Sequence, residues 1–366
     1  MRRYGFTSLI FSFIALLLIV VQNYFFNSTT KLPPNTQIIG PAGGAKQSEF
    51  VFCHWNVENF FDDKNDGRTG PGDREYDVLY ANNAGLLKQK LAKMTEAILK
   101  MNGGKGPDIL AIVEVESERA AKLLQQALNE KLADPSLHYQ NLLMKEISVG
   151  RHIAPAILTR LPIVKDRTRT LDKQHRILVG HILVNDQELV VIASHWTSRL
   201  KDGANRRADY ADKIYGLCNA MHHSNPAVDF LVSGDFNDDP TDESVAQRLH
   251  ATGDAQSVRT GNPLRLFNLF AGKDLNQFGT HYYKQWHAFD QIAVSPGLLD
   301  ERGWTCDPNS TQVFNGLHKA GDKNKRPWRF GSENEKNERG YSDHFPVLVT
   351  LRLEKTGPAA ELSNRR

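Results

Sequence analysis

From residue 49 onward, short continuous apolar runs alternate with stretches in which apolar residues recur every three or four positions. "FVFCHW" (50–55) has the length of a strand, and Leu87, Leu91, Met94, Ile98 and Met101 then fall on one helical face. Gly103 and Gly104 close that helix and Pro107 prevents its return. The same reading predicts strands over "DILAIV" (108–113), "APAILT" (154–159), "DFLVS" (229–233), "FDQIAVS" (289–295) and "FPVLVTLRL" (345–353). Helices are predicted over 117–132 and around Tyr210, Ile214, Leu217 and Met221. "RILVGHILV" and "ELVVIAS" flank Asn185 and Asp186, a short-hairpin signal that lacks the usual glycine. Some strands thus adjoin in hairpins and others are separated by helices, which predicts an α/β fold with mixed rather than wholly parallel sheets.

The ends of the chain break this pattern. Arg2 and Arg3 precede "LIFSFIALLLIVV" (9–21), so residues 1–26 read as a signal peptide or an N-terminal membrane anchor. The arginine flank predicts that the rest of the chain is exported, to the periplasm or the extracellular space, or held at a membrane by that segment alone. Residues 27–48 are rich in Pro, Gly, Ser and Thr and read as a flexible tether, 49–354 as the folded domain and 355–366 as a polar tail. Residues 317–340 and 62–75 are charged and poorly periodic and read as surface loops. The second of these is acidic enough to suggest a calcium loop, but Lys64 stands where a ligand is required.

Net charge is +3, and +1 without residues 1–26, whose only charged residues are Arg2 and Arg3. That excludes a polybasic protein, so any polyanion must be held by local patches. Cys53, Cys218 and Cys306 are too few and scattered for a disulfide framework or a zinc site.

Chemistry collects where the apolar runs end. Asn56, Glu114, His195, Asp235 and Asn237 each follow a strand signal, Asp290 enters one, and Asp343 and His344 immediately precede the last. Singly, an Asp or Asn after a strand is a turn former or a helix cap. Together, carboxylates, carboxamides and imidazoles without cysteine suit a hard divalent cation, Mg²⁺, Mn²⁺ or Ca²⁺, and in-line attack on phosphorus.

"WNVENFFD", "PDILAIVEVES", "SHWTSR", "SGDFND", "FDQIAVS" and "YSDHFPVLV" occur in the order and spacing of the endonuclease/exonuclease/phosphatase superfamily, which this chain resembles from about residue 50 to 353. The resemblance implies a four-layer α/β sandwich, two mixed sheets packed face to face with helices outside. It also implies that Glu114 is the main metal ligand, completed by Asn56 and Asp343. Asp235 would activate the attacking water and Asn237 would hold it or a phosphate oxygen. Asp290 would fix the tautomer of His344, which stabilises charge on the phosphoryl group, and His195 would contact the phosphate from the other side or assist the leaving oxygen. Ser194 stands where many relatives carry Asn and Glu116 where DNA-cutting relatives carry Arg, and Glu146 is the candidate acidic partner of His195.

Two stretches suggest a polyanionic substrate: Arg199, Lys201, Arg206 and Arg207 after His195, and "KNKRPWRF", in which Lys323, Lys325, Arg326 and Arg329 alternate with Trp328 and Phe330. The leading expectation is an exported, monomeric, metal-dependent nuclease acting on DNA, with RNA as a further substrate. The alternatives are a sphingomyelinase-type phospholipase or an inositol- or sugar-phosphate phosphatase, and a non-catalytic binding module on the same fold.

Overall fold

The computed structural model describes residues 36–39, 48–148, 150–200, 203–332 and 338–353. The apolar segment 1–26, most of 27–48 and the tail from residue 354 lie outside the described residues. Among the described residues, no helix is long and apolar enough to cross a membrane.

In chain order the strands are β1 (Ile38–Ile39), β2 (Glu49–Phe60), β3 (Ile109–Val115), β4 (Asn141–Met144), β5 (Ala154–Thr159), β6 (Ile163–Val164), β7 (Arg169–Thr170), β8 (Ile177–Val184) and β9 (Gln187–His195). They continue as β10 (Phe230–Asp235), β11 (Ala251–Thr252), β12 (Leu266–Asn268), β13 (His281–Tyr283), β14 (Gln285–His287), β15 (Asp290–Val294), β16 (Trp304–Val313) and β17 (Val347–Leu353). The longer helices are α1 (Arg74–Asn82), α2 (Ala84–Leu99), α3 (Glu118–Lys131) and α4 (Ala204–Ser224).

One sheet runs β16-β17-β2-β3-β5-β4, with β2 and β3 parallel inside an otherwise antiparallel set. The other runs β1-β6-β8-β9-β10-β15-β12-β11, with β7 beside β8 and parallel pairs at β9–β10 and β11–β12. β13 and β14 form a separate hairpin.

Strand alternation builds the layers. Phe50 and Phe52 of β2, Ile109 of β3 and Val347 and Val349 of β17 meet Leu178, Val191, Leu231 and Ile292 of the other sheet in a core between the sheets. The alternate residues Cys53, Trp55, Leu110 and Ile112 face α1, α2 and α3. On the far side Ile192, Phe230 and Val232 pack against Tyr210, Ile214 and Leu217 of α4. Both sheets are mixed and face each other with helices outside, which is the four-layer arrangement.

The hairpin signal holds: β8 and β9 turn at Asn185 and Asp186, whose positive φ values of 50° and 62° supply the mirror-image turn without glycine. Two elements escape the periodic reading. β16 is an edge strand carrying Pro308 and an irregular register between Asp307 and Gln312, so its pattern is broken. α1 takes up the end of the acidic 62–75 stretch and buries only Tyr76, Asp77, Leu79 and Tyr80. The 317–340 segment also differs from a simple surface loop, because Leu317 and Phe330 are buried within it.

The buried face of α2 includes Lys90 as well as Leu87, Met94 and Ile98, whereas Leu91 is only partly buried. The Lys90 ammonium donates to the carbonyls of Val57 (2.6 Å), Glu58 (3.0 Å) and Tyr341 (3.2 Å). It thereby ties the irregular end of β2 to the segment before β17. Burial drags its pKa down to about 8, against the pull of Glu58, Asp343 and Glu114. At the opposite end of the sandwich, Asp229 is buried with one oxygen accepting from the Trp304 N–H (3.0 Å) and the other unpartnered, and burial pushes its pKa up to about 8.

Two outcomes are expected. Lys90→Met leaves three buried carbonyls without their donor and lowers unfolding free energy by about 2–4 kcal/mol, read by urea denaturation. The native Asp229 keeps a proton that the unfolded chain releases above its ordinary carboxyl range, so stability falls as pH rises from about 4 to about 8. Asp229→Asn keeps the acceptor for Trp304 and flattens that fall, raising Tm at pH 8 more than at pH 5. An unchanged pH slope would contradict the buried-carboxyl account.

Candidate active site

The alternation that fills the core between the sheets also aims the polar side chains. In β2 the face carrying Phe50 and Phe52 continues to His54 and Asn56, and in β9 the face carrying Val191 continues to His195. In β10 Leu231 leads to Asp235, and in β15 the face of Ile292 begins with Asp290. Asp235 pairs in register with His195 on one side and with Asp290 on the other. Gly234 permits this close approach, since a Cβ there would stand 2.5 Å from the Ser194 carbonyl.

Polar contacts join the two sheets at this end. The Asn56 amide donates to Asp235 Oδ2 (3.0 Å) and Glu114 Oε1 (3.2 Å), and Glu114 Oε2 accepts the Asn59 N–H (2.8 Å). The other Asp235 oxygen accepts the Asn237 N–H (2.9 Å), and the Asn237 amide donates to the Trp196 carbonyl (3.2 Å). His344 Nδ1 lies 2.7 Å from Asp290 Oδ2, and its Nε2 lies 3.8 Å from Asp235 Oδ2. His195 Nε2 is 3.7 Å from both Glu114 Oε1 and Asp235 Oδ2. Asn56, Glu114, His195, Asp235, Asp290 and His344 are therefore brought together, with Asn237 beside Asp235.

The electrostatics separate the two imidazoles. Burial works against charge on His344, but Asp290, Asp235 and Asp343 outweigh it and hold its pKa well above the usual histidine range. His195 goes the other way, driven well below that range by burial and then by Arg176, Arg151 and His344. Burial pushes Asp235 up to about 7, while His344 pulls back and Asp290 pushes further. Asp290 stays ionised: burial opposes this, but His344 and His54 hold its carboxyl well below the ordinary range. Asp343 is also lowered, with His344, His281 and Arg329 overcoming its burial.

Backbone strain gathers here too. Glu58 (φ 53°), Asn59 (φ 48°), Glu114 (φ 67°) and Asn237 (φ 52°) are non-glycine residues in the left-handed region. Each is held by the contacts around it; the Glu58 N–H, for example, donates to Asn56 Oδ1 (3.0 Å).

Other expected positions land elsewhere. Glu146 is exposed and accepts the N–H of Glu118 (2.8 Å) at the start of α3, so it is not the partner of His195. The acidic neighbours of His195 are Glu114 and Asp235, and its Nδ1 is buried without a hydrogen-bond partner. Glu116, buried and pushed up to about 7, accepts from Arg68 Nε (3.2 Å) and the Asp62 N–H (3.1 Å). Asp238 and Asp239, just beyond Asn237, bind side chains of other segments. Asp238 holds Arg207 Nε (2.7 Å), Arg199 (2.9 Å) and Ser244 Oγ (2.6 Å), and Asp239 holds His287 Nδ1 (2.7 Å).

The basic residues divide. Arg207 is buried on Asp238, and Arg199 also engages Asp242 and the Asn237 carbonyl. Arg329 reaches Glu58 Oε1 (2.7 Å) and Arg326 pairs with Asp322 (3.0 Å), whereas Arg206 and Lys325 are exposed. His54, which the sequence reading passed over, lies 3.5 Å from the second oxygen of Asp290. Its signal was the alternation itself, two positions before Asn56. Lys90 was passed over as well, and its signal was a cation on an apolar helical face.

The donor set fits a divalent cation. Among the described residues, Asp235, Asp290 and His344 form one group with ligand atoms within 4.8 Å of one another, and His281, Asp343 and His344 form another.

Among curated proteins, no sequence matches the chain. A humanised D. rerio TDP2 superimposes with a TM-score of 0.48 at 15% identity, over 84% of this chain and 100% of that one. The mannosyl-6-phosphatase of Bacteroides thetaiotaomicron gives 0.47 at 16%, over 82% and 99%. A mutant beta toxin of Staphylococcus aureus with bound magnesium ions gives 0.46 at 12%, over 84% and 100%. The profile of one family covers residues 51–353. Members of that family are hydrolases acting on phosphodiesters or phosphate esters, and they use divalent metals. By that match the chain belongs to the Endonuclease/Exonuclease/phosphatase family.

Proposed function

We propose that this protein is a divalent-metal-dependent phosphodiesterase acting on nucleic acid, DNA first, by in-line attack of water activated by Asp235. The observation that carries this reading is the juxtaposition of a basic carboxylate, Asp235, with a charged imidazole, His344, whose Nε2 lies 3.8 Å from it. A carboxyl near 7 can take a proton from water at neutral pH.

In this mechanism Asp235 accepts the proton of the attacking water while the new P–O bond forms and the ester P–O bond breaks. Asn56 fixes the Asp235 carboxylate from one side and the Asn237 N–H from the other. His344 offers its Nε2–H to a phosphoryl oxygen, and Asp290 keeps that imidazolium charged and oriented. The neutral His195 supplies an uncharged contact on the opposite side. Glu114, Asn56 and Asp343 would hold the cation, and it would supply positive charge against the departing oxygen.

Nucleic acid is favoured over a lone phosphate ester by the surroundings. The hairpin β13–β14, bridged to His344 through His281, presents Tyr283, which is 63% exposed, with the Lys284 ammonium 5.4 Å from its ring centre. Arg326 lies over the neighbouring Tyr282. An exposed aromatic such as Tyr283 can stack on a base while the cations beside it pair with phosphates. Export rests on Arg2, Arg3 and the apolar run that follows them.

The expected result is that the purified protein degrades plasmid DNA with Mg²⁺ or Mn²⁺ and stops on addition of EDTA. Asp235→Ala and His344→Ala each lower kcat by roughly three orders of magnitude or more; full activity in both would sink the mechanism. Sphingomyelin and inositol phosphates assayed in parallel test the substrate class, and turnover of either without DNA cleavage would overturn the nucleic-acid reading. The charge pattern makes a second prediction. Arg206→Ala and Lys325→Ala raise KM for DNA and weaken its salt dependence at unchanged Tm, whereas Arg207→Ala lowers Tm because it strips the buried Asp238 of a partner.

A further inference from the structure

The hairpin beside His344 delivers an imidazole that the mechanism above leaves unused. His281 forms an isolated antiparallel bridge with His344, and their rings lie 4.4 Å apart. His281 Nδ1 is 2.9 Å from the backbone carbonyl of Asp343. A carbonyl can only accept, so this contact places the ring proton on Nδ1 and leaves a lone pair on Nε2. An imidazole held through one nitrogen by a carbonyl, with the other nitrogen free, is the arrangement that orients metal-bound histidines. Phe289 stacks on the ring at 5.6 Å and helps fix its plane. Donor atoms of His281, Asp343 and His344 lie within 4.8 Å of one another, and His344 already commits its Nδ1 to Asp290.

We propose that His281 is a nitrogen ligand, through Nε2, of a divalent ion held together with Asp343. This rests on the reading that the site holds a catalytic cation, and it narrows the class of that cation. Mg²⁺ and Ca²⁺ take oxygen donors, so an imidazole in the coordination sphere tilts selectivity toward a first-row transition-metal ion.

The test is binding, without substrate, to the full-length protein. Mn²⁺ is the probe: pulsed EPR detects the ¹⁴N of a directly bound imidazole, and calorimetry compares Mn²⁺ with Mg²⁺. The wild type is expected to show the ¹⁴N coupling. His281→Phe retains a ring to stack on Phe289, and it is expected to lose the coupling and bind Mn²⁺ about tenfold more weakly, with Mg²⁺ affinity little changed. His281→Gln, which keeps a polar side chain, should behave alike.

Persistence of the coupling in both variants would assign the nitrogen to another histidine and overturn the proposal. So would Mn²⁺ binding without any ¹⁴N coupling in the wild type, an outcome that leaves the phosphodiesterase reading standing. Equal loss of Mn²⁺ and Mg²⁺ affinity in His281→Phe would also overturn it, by showing a general disturbance. Failure of the wild type to bind either ion would remove this proposal and the metal-dependent reading together.

Discussion

Asp235 and Asp290 face each other across the β10–β15 pair, both almost fully buried. Burial and the charge of Asp290 push the Asp235 carboxyl up, and His344, reaching in from the other sheet's side, pulls it back while keeping Asp290 ionised. The whole end of the sandwich is arranged around that insertion. Asn56 spans from β2 to Asp235, His54 backs Asp290, and the residues just before β17 carry Asp343 and His344 into place. Buried ionic groups of this kind rarely raise stability over an apolar core of the same volume.

The same economy governs the backbone. The left-handed residues Glu58, Asn59 and Glu114 cost conformational energy, and the fold offsets it with specific bonds: Lys90 caps the carbonyls of Val57 and Glu58, and Asn59 donates to Glu114. Glu58 in turn accepts from Arg329 and the Phe330 N–H, which pins the 317–332 segment against the site. The contacts that hold this strained backbone therefore share residues with the candidate site, and a substitution intended to probe one also moves the other.

Charge is compensated locally rather than displayed. Of the basic residues that follow His195, Arg199 and Arg207 are engaged by Asp238 and Asp242. With a net charge of only +3, the protein creates no broad positive field. The cations left exposed among the described residues include Arg206, Lys325 and Lys284, the last beside Tyr283 of the β13–β14 hairpin. This is a different balance from the one that the clusters of Arg and Lys in the sequence suggest.

Much of the fold was legible in the chain because burial imposes a period. Continuous apolar runs and helical spacing located β2, β3, β5, β8, β9, β10, β15, β17 and three of the four longer helices, and the ordered motifs placed Asn56, Glu114, His195, Asp235, Asp290 and His344 at the ends of those runs. What the chain could not reveal depends on groups far apart in sequence meeting in space. No local pattern tells which of two imidazoles carries charge, because Asp290 and Asp235 set that for His344, while burial and Arg176 set it for His195. Nor could spacing show that Arg207 turns inward to Asp238, that Glu146 caps a helix, that Lys90 closes a bulge, or that His281 lies against His344. Those are consequences of how two sheets and their connections pack, since the energy of a buried charge is fixed by its neighbours and not by its position along the chain.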